Sequence, residues 1–143
     1  MIAIVAFEPQ HAASIVLQAP QRGEAESLGF RAGDAADLGP AFSAVEQDEA
    51  GHVVRVLCCA GLAENAPDHA TAWALIAEGV GGAGMVAITR AIRRVLDAAD
   101  YKRVDMLVRE SFGRAHDFAK LLGFERDFAL YVRTPAPLFE RQN

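Results

Sequence analysis

Cysteine is scarce in this 143-residue chain: there are two, side by side at Cys58-Cys59. Neighbouring strand residues point to opposite faces, so a disulfide between them would be strained. No histidine lies near them at ligand spacing, which argues against a zinc site. They read as buried thiols in a reducing compartment. No apolar run approaches the ~20 residues of a membrane span, because Arg, Glu, Asp or Gly breaks each one. A basic leader followed by an apolar stretch is also missing, and MIAIVAFEP reads as a first strand. Positive charge is in deficit, with 14 Lys and Arg against 19 Asp and Glu and a net charge of −5. Nucleic-acid binding as the main task needs a basic face and is argued against. The net charge says nothing against a small acidic cofactor, which senses only local charge. A soluble cytoplasmic protein with no membrane partner is expected.

Apolar residues make up 52% of the chain, enough for one core in a single domain spanning residues 1–143. The most informative stretch is Trp73–Asp97, WALIAEGVGGAGMVAITRAIRRVLD. It reads as an apolar strand over 73–77, a glycine turn (Gly79, Gly81, Gly82, Gly84) and an amphipathic helix. Such a unit aims free N–H groups and the positive end of a helix dipole at an anion, usually a phosphate. Met85, Ile88, Ile92, Val95 and Leu96 give the helix its apolar stripe, and Arg93 and Asp97 stand at i,i+4.

Around this unit the pattern predicts an opening strand over 1–7, then a helix entered at Glu8-Pro9 and stopped by Pro20. Asp34 is positioned to cap a second helix carrying Leu38, Phe42 and Val45, interrupted by Gly39-Pro40. Strand sequence returns at 52–60, and 62–69 reads as a loop. A strand at 104–108, a helix at 113–122 closed by Gly123, and a strand at 128–132 complete the order. This is a mixed α/β chain without internal repeats, and 73–108 has the layout of a right-handed βαβ crossover.

At this point the chain resembles the GNAT superfamily, the Gcn5-related N-acetyltransferases. Members carry a strand, then Gln/Arg-x-x-Gly-x-Gly/Ala, then a helix. Here Glu78-Gly-Val-Gly81-Gly-Ala83, or shifted by one Gly79-Val-Gly-Gly82-Ala-Gly84, takes that place. Near the end, Ala115, Phe118 and the Gly123-Phe124 pair fall in the family's closing pattern. The WALI strand, the HATAW lead-in and the LLGF ending look most like small GNAT-like proteins encoded by bacteriophages, some associated with the virion.

The resemblance implies a mostly antiparallel central sheet (α+β, mixed) with a parallel, splayed central strand pair and about four flanking helices. It implies acetyl-CoA, or another acyl-CoA, as cosubstrate. The pyrophosphate would rest on N–H groups of Val80, Gly81, Gly82, Ala83, Gly84 and Met85. The pantetheine arm would lie along Leu75, Ile76 and Ala77, with Arg114 and Phe118 as further contacts. A strand N–H would polarise the thioester carbonyl while an amine, on a small molecule or a protein, attacks directly. A homodimer is common in the superfamily. A catalytically degenerate binding or virion-associated module is the alternative.

The sequence departs from the family pattern in three places. The leading Gln/Arg of the turn is Glu78 or Gly79. The usual Tyr that protonates the leaving thiolate is Ala119, and an Asn often found in the same region is Phe112. A thiolate with a free pKa near ~8.5 can leave without an acid, so this slows the reaction without abolishing it. His69 and Glu78 are the candidate bases, with His116 behind them, and Tyr131 is the candidate acid. Each has a plain reading beside this one: a solvated loop-end His, an exposed strand-end carboxylate, an edge aromatic. Trp73 is either core or a wall of the acceptor pocket. A nucleotide fold is the remaining option, but no Lys-Ser/Thr follows the glycines, as a P-loop requires.

Overall fold

The computed structural model describes residues 1–18, 21–22, 31–107, 113–127 and 130–133. The element order is β1 (Ile2–Ala6), α1 (Pro9–Ser14), α2 (Ala32–Ala36), β2 (Ala41–Gln47), β3 (Val53–Ala66), β4 (His69–Ile76), α3 (Gly81–Ala98), β5 (Arg103–Leu107), α4 (Gly113–Leu121), β6 (Glu125–Asp127) and β7 (Leu130–Arg133). The strands form one seven-stranded sheet in the order β1-β2-β3-β4-β5-β7-β6. Every pairing is antiparallel except β4 with β5.

The helices cover the two faces of this sheet. In α3, Ile88, Ile92 and Leu96 recur at helical spacing and are buried with Ala91. They pack on the face that also holds Leu57, Cys58, Leu62, Ala119 and Phe124. Ile88 is fully buried, which is worth ~1.5–3 kcal/mol relative to exposure. The opposite face carries Val45, Val56, Cys59 and Leu75 under Ala12, Ile15 and Trp73. Cys58 and Cys59 therefore sit in different cores, as strand alternation requires, and both are free thiols. Burial pushes both thiols upward in pKa; a hydrogen bond from Ser43 partly offsets this at Cys59.

Several expectations are corrected. Phe42 and Val45 lie on β2 and not on a second helix, which ends at Ala36. Gly39-Pro40 marks the boundary, and the following apolar run is paired with both β1 and β3. The expected loop over 62–69 is instead the end of the 14-residue β3 and a tight turn at Pro67-Asp68, with Ala66 opposite His69. The first helix stops at Ser14 rather than running to Pro20, because Ile15 turns extended. A short strand, β6, was not anticipated. Arg93 donates to the Leu121 carbonyl instead of meeting Asp97, which pairs with Arg133 (Nη2–Oδ1 2.7 Å). Among the described residues, no helix is long and apolar enough to cross a membrane.

Candidate active site

The site is built on the parallel pair β4 and β5. β4 and β5 are in register only at His69↔Arg103, Ala70↔Val104 and Thr71↔Asp105, yet β4 runs on to Ile76. Beyond Thr71 the two strands part. Beside this parting, under α3 and α4, Ala72, Ala74, Met106, Phe118 and Leu122 join Phe42, Leu62 and Ile92 around an apolar cleft with a cavity volume of about 20 Å³, room for one water.

At the vertex of this splay stands a polar cluster. His69 Nε2 lies 2.6 Å from Asp105 Oδ2, and Thr71 Oγ1 donates to Asp105 Oδ1 at 2.8 Å. Asn65 Nδ2 donates to Thr71 Oγ1 at 2.7 Å. Asp105 is buried at 8% exposure, whereas the His69 side chain keeps 34%. Donors thus run from Asn65 through Thr71 to one carboxylate oxygen and from His69 to the other. This arrangement favours the Nε2–H tautomer of a neutral His69 and leaves Nδ1 as the lone-pair nitrogen. The loop-end, solvated reading of His69 is replaced: it opens β4 and is held by a buried partner. Asp105 is a residue the sequence reasoning missed, and the signal was a lone carboxylate inside an apolar strand.

Trp73 follows two residues on. It meets Phe7 edge to face (5.9 Å between centroids), packs against the core of Val45 and Leu75, and borders the cleft. Its indole lies over Gly61, where a Cβ would come within 3.0 Å of the ring and 2.6 Å of the Pro40 carbonyl oxygen. Only glycine fits opposite Trp73.

At the other end of β4, Gly79 (φ 63°) and Gly81 (φ 78°) take left-handed backbone, which other residues rarely adopt. Their turn feeds α3, whose first turn holds no acidic residue and whose N-cap, Val80, offers no side-chain hydrogen bond. A Cβ on Gly81 or Gly82 would meet nothing within 4 Å. The helix start is therefore open and, among the described residues, has no N-cap side chain on its N–H groups, which suits an anion such as a pyrophosphate. Arg55 donates to the Glu78 and Gly79 carbonyls behind the turn. Arg22 faces the exposed Glu78 carboxylate at 3.8 Å.

The candidate site residues divide between these two ends. Glu78 lies past the end of β4, about 23 Å along the strand from Thr71 at ~3.3 Å per residue, so it and His69 do not share one centre. Tyr131 lies on β7 opposite Met106, one rung past Asp105, and its side chain lies outside the described residues. Phe118 is half-buried in the cleft, Arg114 is exposed on α4, and Gly84 is buried in the first turn of α3. Val80, Gly81, Gly82, Ala83 and Met85 surround the helix start. Leu75 and Ala77 turn their backbone toward β3, where Ala77 N–H donates to Leu57 O at 2.8 Å. Ile76 turns its backbone toward the splay. Ala119 is fully buried, and Phe112 falls outside the described residues.

The splay-facing edge of β4 is already engaged. Gln18 N–H donates to Ile76 O (3.3 Å), and Glu78 N–H donates to Val16 O (2.9 Å). Leu17 bridges Ala77 in antiparallel fashion. The Gln21 side chain completes the row: its Oε1 accepts from Ile76 N–H (2.9 Å) and its Nε2 donates to Ala74 O (2.8 Å).

Comparison with solved structures identifies the architecture. The chain is similar to the ribosomal-protein-S18-alanine N-acetyltransferase from Escherichia coli (TM-score 0.66, 14% identity, 96% of each chain covered). It is similar to a GNAT-family acetyltransferase from Staphylococcus aureus Mu50 (TM-score 0.65, 12% identity, 95% of this chain and 100% of that one). It is also similar to a spermidine/spermine N-acetyltransferase from Vibrio cholerae (TM-score 0.60, 12% identity, all of both chains). Neither a protein-family model nor a curated protein sequence matches the chain. The fold is that of the GNAT acetyltransferases, and identities this low carry the fold alone.

Proposed function

We propose that the chain is an acyl-CoA-dependent N-acyltransferase, one GNAT-like domain over residues 1–143, acting in the cytoplasm on a primary amine of a small molecule or protein. The observation that carries this reading is the splay itself. It has a His–Asp pair at its vertex and an open helix start at its far end. Bound acetyl-CoA would supply an acyl group activated as a thioester. N–H groups of Val80–Met85 would hold its phosphates. An even-numbered N–H just past the last rung, that of Ala74, would stabilise charge on the carbonyl oxygen.

His69 Nδ1 would take the proton from the attacking amine, with Asp105 holding the ring and stabilising the imidazolium. Trp73 would wall the acceptor side. Tyr131, level with the opening of the splay, is the candidate acid in place of the missing helix tyrosine. Glu78 is reassigned from base to a partner of Arg22 near the turn.

Two measurements test the reading. Acetyl-CoA at 100 times its dissociation constant should stabilise the fold by about 2.7 kcal/mol. Release of free CoA should then follow addition of an acceptor, with spermidine and a peptide starting in alanine as first trials, given what the similar structures act on. No melting shift at millimolar acetyl-CoA would sink the cofactor claim. A shift without transfer across a wide amine panel would turn the reading to a silent GNAT-fold binding module, such as the phage proteins the sequence resembles.

A further inference from the structure

We infer that Val16–Gln18 and Gln21 form a built-in strap that occupies the pantetheine track of β4 and must leave it before acyl-CoA binds. The inference rests on the acyl-CoA reading above and concerns how that site is regulated. Its basis is the stoichiometry of hydrogen bonding. An amide N–H makes one strong bond, so Ile76 N–H and Glu78 N–H cannot serve the strap and a pantetheine amide at once. The Gln21 carboxamide offers one acceptor to Ile76 and one donor to Ala74, the same pair of groups a pantetheine amide presents.

The strap is suited to displacement. Its bonds are neutral, and the one at Gln18 is long, at 3.3 Å. Val16 is 58% exposed, and among the described residues of this stretch Ile15 and Leu17 pack against the core. The ion pair beside it, Arg22 with Glu78, is between exposed side chains and adds little. Its resting role is equally physical. Where β5 departs, β4 would present unpaired N–H and C=O groups to any other strand, and the strap covers the Ala74 C=O, both groups of Ile76 and the Glu78 N–H. The protein thus trades cofactor affinity for a protected edge.

The test uses the full chain and acetyl-CoA itself. Gln21→Met keeps the length of the side chain and removes both of its hydrogen bonds. The strap predicts about tenfold tighter acetyl-CoA binding by calorimetry, at ~5-fold per lost bond less incomplete release. Equal or weaker binding by Gln21→Met, with wild type binding normally, overturns the strap and leaves the acyl-CoA reading intact. Binding by neither protein removes that reading and the strap with it. In wild type, saturating acetyl-CoA should accelerate hydrogen exchange at the Gln18 amide while Ile76 and Glu78 stay protected. Unchanged protection at Gln18 overturns the strap without recourse to any variant.

Discussion

His69 and Asp105 lie 36 residues apart in the chain and 2.6 Å apart in space, joined across the rungs of the parallel pair. If the pair removes the amine's proton, Asp105→Asn should lower kcat by about 10²–10⁴-fold with little change in KM for acetyl-CoA. His69→Gln should do the same. Steady-state rates at saturating acetyl-CoA decide it, and an unchanged kcat in both variants would return the pair to a purely structural role.

Removing the carboxylate altogether is a different experiment. Asp105→Ala leaves Thr71 Oγ1 and His69 Nε2 without their partner at a buried position. A loss of about 1–3 kcal/mol in urea unfolding is expected, larger than for Asp105→Asn.

Gly82→Glu separates stability from binding. The position is open to a side chain, and a carboxylate in the first helical turn favours the dipole by ~0.3–1 kcal/mol. The melting temperature should hold or rise, while acetyl-CoA affinity falls about tenfold or more through repulsion of the phosphates. Equal affinity would mean that the helix start is not the anion site.

Gly61→Ala should destabilise without removing any polar group. The added methyl would meet the Pro40 carbonyl oxygen at 2.6 Å and the Trp73 ring at 3.0 Å. Backbone cannot yield as a flexible side chain does, so a cost of about 1–3 kcal/mol is expected in denaturant unfolding.

The cysteines give a pH dependence. Burial raises Cys58 and Cys59 above the ordinary value of 9.0 in the folded chain. The protonated thiols therefore favour the native state. Their contribution is complete below pH ~8.5, where the unfolded thiols begin to ionise, and shrinks as pH rises further because the unfolded chain sheds these protons first. Both thiols should resist a thiol reagent at pH 7.5 and react on unfolding. Rapid labelling of the native chain would contradict the burial.

The sequence announced what depends on local chemistry. The glycines at 79–84, the stripe from Ile88 to Leu96 and the Gly123-Phe124 stop each act within a few residues, and the turn and α3 emerged where they were read. What stayed hidden depends on distant partners. β2 looked helical because Phe42 and Val45 fit a helical stripe as readily as a strand buried on both faces. The Gln21 contacts join a side-chain amide to a strand more than fifty positions on, and no local pattern encodes that. Asp105 gave a faint sign, an acid in an apolar strand, but its partners His69 and Thr71 became visible only once β4 and β5 lay side by side.

Arg133 joins two helix ends: its Nη2 meets Asp97 in the last turn of α3, and its Nε donates to the Leu122 carbonyl just after α4. During synthesis the antiparallel meander β1 to β4 can form as it leaves the ribosome, since each strand finds its neighbour already made. The parallel pairing waits for the whole α3 crossover, and this clamp waits longer still. A ribosome stalled before residue 133 would therefore hold a nascent chain with its meander assembled and α3 and α4 untied, a state that chaperones and proteases meet before the fold is whole.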